Sequence, residues 1–216
     1  MQYHLIIFAV LIVVVVAIIA LRGFTADARA EDDLERFLSE PMSPRQRARF
    51  YERYVGHLFE NQGYDVAYLG SLKGYTDHGR DIIVTTPEEI LVIQTKCWSK
   101  RRVVHDNDIY QLFGKMSHIK QTSEDPKRKI RAVFFSTSQY SSLAKQAASA
   151  LGVEIRTERL NLSYPMIKCS VSPTGEKYYY LPFDPVYDRV QVKRNRDEYF
   201  VRTVNQAVQK GFKRAG

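Results

Sequence analysis

The first 21 of 216 residues contain no Asp, Glu, Lys or Arg, so the chain does not open on a solvated, charged surface. Cysteine is nearly absent: Cys97 and Cys169 alone cannot staple a disulfide scaffold, and without C-x-x-C spacing they give no zinc signature. No G-x-x-x-x-G-K-[ST] run occurs, which removes support for a nucleotide-driven motor. There are no internal repeats and no low-complexity tract. With 44% hydrophobic and 26% charged residues the chain has enough apolar surface for a packed core, which excludes global disorder. What is present is a basic body, with a net charge of +8 and a pI near 9.4, behind an apolar leader.

The leader, Leu5 to Leu21, is 17 consecutive apolar residues. As a helix it reaches roughly 25 Å, slightly short of a hydrocarbon core of about 30 Å, and Tyr3 and Phe24 extend it at the interfaces. It lacks the basic n-region of a cleaved signal peptide and exceeds the usual apolar length of one. The expectation is therefore a retained anchor at 1–24. Arg22, Arg29 and Arg36 all follow the span, so the positive-inside rule puts the N-terminus outside and the body in the cytoplasm. Both cysteines are then expected as free thiols.

Residues 25–43 are polar, run up to Pro41 and Pro44, and read as a linker, partly helical. Ser43, Pro44 and Gln46 form the pattern of a capped helix start, and Phe50, Tyr51, Tyr54, Val55, Leu58 and Phe59 recur at helical spacing up to Gly63. Strands are expected at 64–69, 81–85, 90–97, 130–136 and 153–155, with helices at 108–120 and 141–151 between them. Strands apolar on both faces, interleaved with helices, predict an α/β layer structure covered on both sides. The body thus divides into a domain at 44–158 and a basic appendage at 159–216, β-rich and ending in a helix near 203–210.

The chemistry sits on the two central strands. A hairpin centred between Pro87 and Glu88 makes antiparallel partners sum to 175, which puts Asp81 opposite Gln94. Period-2 alternation places Lys96 on the same face and turns Thr95 and Cys97 away. A carboxylate, a carboxamide and an ammonium among Ile, Val and Leu are costly to desolvate unpaired. A hard divalent cation resolves that cost: Asp81, Gln94, the Thr95 backbone carbonyl and water supply oxygen ligands for Mg²⁺. Lys96 then serves the attacking water or the phosphate charge. Glu52 and Glu60 are the helix carboxylates on offer to complete the shell. The alternative is an Asp81–Lys96 ion pair with Gln94 bonded to backbone.

The ordered set Tyr51-Glu52, Asn61-Gln62-Gly63-Tyr64, Asp77-His78-Gly79-Arg80-Asp81 and Ile93-Gln94-Thr95-Lys96 resembles the Mrr-like branch of the PD-(D/E)xK restriction endonuclease superfamily, in its QxK variant. Phe135-Ser136-Thr137-Ser138, followed by an Ala-rich helix, is similar to the family's end, so the likeness covers about residues 46–156. Tyr51 stands where Phe is common, and Arg80 lies inside the Gly-x-Asp. The resemblance implies a restriction-endonuclease-like mixed sheet flanked by helices and Mg²⁺-dependent cleavage of DNA, double-stranded, in restriction of foreign DNA, with a homodimer as one arrangement. By position it makes Asp81, Gln94, Lys96 and Glu52 the catalytic set and Asp81, Gln94, Thr95 and Glu52 the metal shell. The readings kept beside it are a non-cleaving DNA-binding module on the same fold and an RNA-directed nuclease.

Lys100-Arg101-Arg102 directly follows the catalytic strand and, with Arg80, is expected to meet the phosphate backbone. Gln111 faces the site in relatives and is otherwise a surface glutamine. Asp77 and His78 read as loop residues, and His57, His105 and His118 have no metal-ligand spacing. Beyond residue 160, Gly175-Glu176-Lys177-Tyr178-Tyr179, Tyr199-Phe200 and Ala207 to Phe212 resemble the small metal-binding modules of Ada-type proteins without their cysteines, which argues against zinc. Ten basic residues against five acidic ones, with interleaved tyrosines, suit either nucleic-acid contact or a structural cap.

Overall fold

A computed structural model describes residues 12, 14–15, 25–69, 82–99, 101–122, 128–193 and 196–215. They belong to two compact units: a larger one of residues 42–164 and 185–197, and a smaller one drawn from 1–41, 165–184 and 198–216. Of the apolar run 5–21, Ile12, Val14 and Val15 are described, all helical and exposed. No helix among the described residues is long and apolar enough to cross a membrane, and the remainder of the run lies outside them.

The larger unit begins with a helix whose start is written in its caps. Helix α2, Pro44–Glu60, carries Ser43 at the N-cap: its hydroxyl accepts from the Gln46 N–H, and the Gln46 side chain accepts from the Ser43 N–H. Helix α1, residues 25–39, precedes it and belongs to the smaller unit. Strands β1 (Asp65–Tyr68), β2 (Ile82–Thr85) and β3 (Glu89–Lys96) form an antiparallel meander. After the short β4 (Val103–Val104) and helix α3 (Asp106–Thr122), β5 (Lys129–Ser136) pairs parallel to β3. Strand β6 (Gln139–Tyr140) pairs with β4, helix α4 (Ser142–Leu151) follows, and β7 (Glu154–Thr157) adds to β5 in parallel. The sheet order β1-β2-β3-β5-β7 is mixed, as expected.

The observed register pairs Ile82 with Ile93 and Thr85 with Ile90, so partners sum to 175. One sheet face carries Val92, Ala132 and Phe134 against Ile109 and Leu112 of α3 and Ala144, Ala147 and Ala148 of α4. The other lies under α2, where Phe59 meets Phe135 edge-on at 6.1 Å. Helix α2 comes close to β1 at Gly56: a Cβ there would lie 2.2 Å from the Tyr68 hydroxyl, so only glycine admits the buried ring. The Tyr68 hydroxyl donates to Glu60, itself 2% exposed.

A segment from far down the chain completes this unit. The short 3-10 turn Tyr187–Arg189 delivers Asp188 to α2, where it accepts from Arg53 at 2.6 and 3.0 Å and from Arg49 at 2.8 Å. Burial pushes the Asp188 carboxyl upward, but its hydrogen bonds to Arg53 and Arg49 and their charges outweigh that and hold it below its ordinary value. Residues 185–197, expected in the appendage, thus belong with 42–164.

The smaller unit holds a four-stranded sheet, order β10-β8-β9-β11, from β8 (Ile167–Val171), β9 (Lys177–Tyr180), β10 (Tyr199–Val201) and β11 (Lys213–Arg214), with helix α5 (Val204–Gln209) between the last two. Its core joins Ile167, Cys169, Tyr179, Leu181, Val201, Ala207 and Phe212 to Ala30 and Leu34 of α1. Residues 25–39, expected as a linker, are therefore a packed helix. The physical reason is an i, i+4 pair of small and apolar side chains that finds its partners more than 130 residues later. The Tyr179 hydroxyl donates to Asp27 at 2.7 Å, and the Asp184 carboxylate binds the Arg214 guanidinium through both oxygens. Burial pushes the free Cys169 thiol up to about 12.

Candidate active site

Strand β3 is apolar from Ile90 through Ile93, where both its faces are covered, and polar from Gln94 onward, while its pairing with β5 continues to Lys96. Gln94 is 4% exposed and sits on the α3 face: its Oε1 accepts from Lys115 Nζ at 3.4 Å. Lys96 follows on the same face, its Nζ 5.5 Å from the centre of the Trp98 ring, which packs on the Val92–Leu112 core. Thr95 and Cys97 point the other way, toward α2. Cys97 there feels Arg47, and burial raises its thiol.

The remaining expected residues divide. Asp81 lies outside the described residues, as do Asp77, His78, Arg80 and Lys100; the described ladder ends one residue short of Asp81, at Ile82 opposite Ile93. Glu52 is half-buried on α2, the helix over the Thr95 and Cys97 face, whereas Gln94 and Lys96 face α3. Glu60, the other helix carboxylate, is committed to Tyr68. Tyr51, Glu52's neighbour, is fully buried and donates to the Glu158 carbonyl at 2.9 Å; burial raises its hydroxyl far above the ordinary value. Arg101 and Arg102 are exposed just past β3, and Arg102 Cζ lies 5.0 Å from the Trp98 ring centre. Gln111, His105 and His118 are exposed, and the buried His57 ring lies 5.2 Å from that of Tyr164.

Lys115 escaped the sequence reading. The signal was positional: three residues after Leu112 and four before Ile119, it lies on the sheet-facing stripe of α3, where a charged residue demands a partner. Gln94 is that partner. The Gln94 amide oxygen is a hard donor of the kind Mg²⁺ takes, and in the structure it accepts from the Lys115 ammonium. Among the described residues no group of three or more His, Cys, Asp or Glu could hold a metal ion.

This arrangement of a mixed sheet with a Gln-x-Lys at the end of its third strand coincides with a family match: residues 45–158 fit the model of the Mrr catalytic domain, described as restriction endonuclease. The chain belongs to this family. Its members generally use divalent metal ions. The match corrects the extent of the likeness only slightly, from 46–156 to 45–158. No curated protein matches the chain. Among solved structures, similarity extends to an EndoMS–dsDNA complex (17% identity, TM-score 0.41, covering 57% of this chain and 48% of that one). It extends also to a repair endonuclease from Pyrococcus abyssi (18%, TM-score 0.40, 57% and 50%) and to MspJI restriction endonuclease with a 27-mer oligonucleotide (15%, 0.36, 60% and 29%). The chain spans about half the length of the first two.

Proposed function

We propose that this chain is a Mg²⁺-dependent endonuclease that hydrolyses phosphodiester bonds in double-stranded DNA and acts in restriction of foreign DNA. The observation that supports it most is Gln94 and Lys96 on one face at the end of β3, the Gln-x-Lys of a chain whose residues 45–158 match the restriction endonuclease family. Mg²⁺, when bound, would supply Lewis-acid polarisation and an activated water. Asp81, Gln94 and the Thr95 carbonyl would hold it; Glu52, on the helix over the other sheet face, stands apart from Gln94. The hydrogen bond from Lys115 to the Gln94 Oε1 fixes the rotation of that amide. Lys96 orients the attacking water by hydrogen bonding and neutralises charge that builds on the phosphate. Arg80, Lys100, Arg101 and Arg102 take flanking phosphates.

The leader gives the reading its place in the cell: residues 5–21 anchor the chain as a single span, N-terminus outside and endonuclease domain in the cytoplasm, where incoming DNA is met. Two copies cutting opposite strands account for double-strand breaks, which makes a homodimer part of the proposal. The deciding experiment incubates the full chain, in detergent micelles, with supercoiled plasmid. Mg²⁺-dependent nicking or linearisation, abolished by chelator and by Asp81→Ala, is the expected result. Tight DNA binding without cutting across a divalent-ion series replaces this reading with the binding module, and cleavage of RNA alone replaces the substrate.

A further inference from the structure

Beyond Lys96 the strand has ended, yet the chain stays tied down. The Thr137 N–H donates to the Lys96 carbonyl at 3.0 Å. The Thr137 hydroxyl accepts from the Trp98 N–H at 2.8 Å and donates to the Trp98 carbonyl at 2.7 Å. The Ser138 hydroxyl donates to the Ser99 carbonyl at 3.1 Å. The Ser136-Thr137-Ser138 run, for which the catalytic scheme has no use, therefore extends the order of β3 by three residues. What it holds in place is the chain's single tryptophan. Core packing fixes the indole from below, with Val92, Val104 and Ile109 in the cluster it packs against. Two cations meet the ring: Lys96 Nζ at 5.5 Å and Arg102 Cζ at 5.0 Å from its centre.

We propose that Trp98 is the positioning residue for Lys96, holding its ammonium at the end of β3 and coupling it to the phosphate-facing Arg102. The inference rests on the nuclease reading for the step it affects. An indole suits this task better than a carboxylate. Its quadrupole attracts the ammonium without cancelling the charge, so the full cation remains for the phosphate. The ring also narrows the rotamers of a four-carbon stem whose freedom is otherwise lost when the phosphate arrives. Because Arg102 shares the ring, a phosphate drawn to that guanidinium arrives in register with Lys96.

The test uses the full chain in micelles and the emission of its only tryptophan. Lys96→Met and Arg102→Met are each expected to shift that emission, since each removes a charge from the ring. Trp98→Leu is expected to slow single-turnover plasmid cleavage about tenfold while duplex affinity, measured in non-cleaving Ca²⁺, stays within about twofold; Trp98→Phe, which keeps a weaker π face, recovers most of the rate. An emission that neither Met variant moves overturns the inference. So does Trp98→Leu cleaving at the wild-type rate, or losing affinity and rate by the same factor, which marks a plain DNA contact. A wild-type chain that cuts nothing defeats the nuclease reading instead, and the emission shifts still report whether Lys96 and Arg102 meet the ring. Circular dichroism of Trp98→Leu guards against misfolding, and if that variant unfolds, the Phe variant and the emission of Lys96→Met decide.

Discussion

The two units differ in where their positive charge is placed. In the smaller one the cations are spent internally: Lys168, 1% exposed in mid-strand, lies 5.9 Å from the centre of the Phe200 ring, Lys177 faces Phe212, Lys210 faces Tyr199, Lys213 pairs with Glu176, and Arg214 grips Asp184. Its helix α1 adds acid, since residues 25–41 hold six Asp or Glu against two Arg. The basic excess read for the stretch after 160 is thus offset by a segment that precedes the endonuclease domain, and part of it, at 185–197, belongs to the larger unit. The larger unit also binds cations internally, pairing Arg49 and Arg53 with Asp188 and Arg131 with Glu89, yet it keeps a basic group at the end of β3. Arg101 and Arg102 are exposed, and Lys96 and Lys115 converge on the end of one strand. Counts of Lys and Arg therefore say little about function; both units pair many of their cations, and what sets Lys96 and Arg102 apart is that the two share one ring at the end of β3.

The sharpest way to break this contrast is Lys96→Ala, expected to lower plasmid cleavage by about 10³-fold with far-UV circular dichroism unchanged, a loss typical of removing a charge-stabilising group. Equal damage from Lys168→Met would erase the distinction between the units. Asp188→Asn should cost about 3 kcal/mol in a urea melt at neutral pH, because it leaves Arg53 buried with a weakened partner. The Asp188 carboxyl is held below its ordinary 3.8, so its contribution is present above that value and vanishes as pH falls through the depressed folded value; the gap between wild type and variant should close in acid. Asp184→Ala, a less buried pair, should cost about 2 kcal/mol and leave cleavage by the larger unit unchanged. The smallest effect concerns salt. Replacing Lys100, Arg101 and Arg102 with Gln should flatten the slope of log affinity against log salt by about 2 to 3. The same change at Lys177, Lys210 and Lys213 should leave that slope unchanged to within experimental scatter.

Legibility followed the range of the interactions. The Ser43 capping box, the β2–β3 register and the positive-φ glycines ending α2's turn and α4, Gly63 and Gly152, are settled within a few residues, and each could be read directly. Gln94 and Lys96 followed from that register. Missed were features whose partner lies far along the chain: helix α1, whose Ala30 and Leu34 are buried only against strands of the smaller unit, and Asp188, whose meaning depends on Arg53. The strand β11 was missed because two residues after Gly211 carry no periodicity, and it exists by pairing with Tyr178 and Tyr179. Lys115 lay between these cases, visible as a misfit on an apolar stripe but without meaning until Gln94 was opposite.

The path of the chain through its two units has a genetic corollary. It passes from one to the other near residues 41, 164, 184 and 197, so neither unit is a contiguous stretch of coding sequence. A premature stop codon just after Asp184 spares every residue of the family match but strips the counter-ion from Arg49 and Arg53. Late nonsense alleles are accordingly expected to be as null as early ones, and frameshifts near the 3′ end should not leave a working cutter behind.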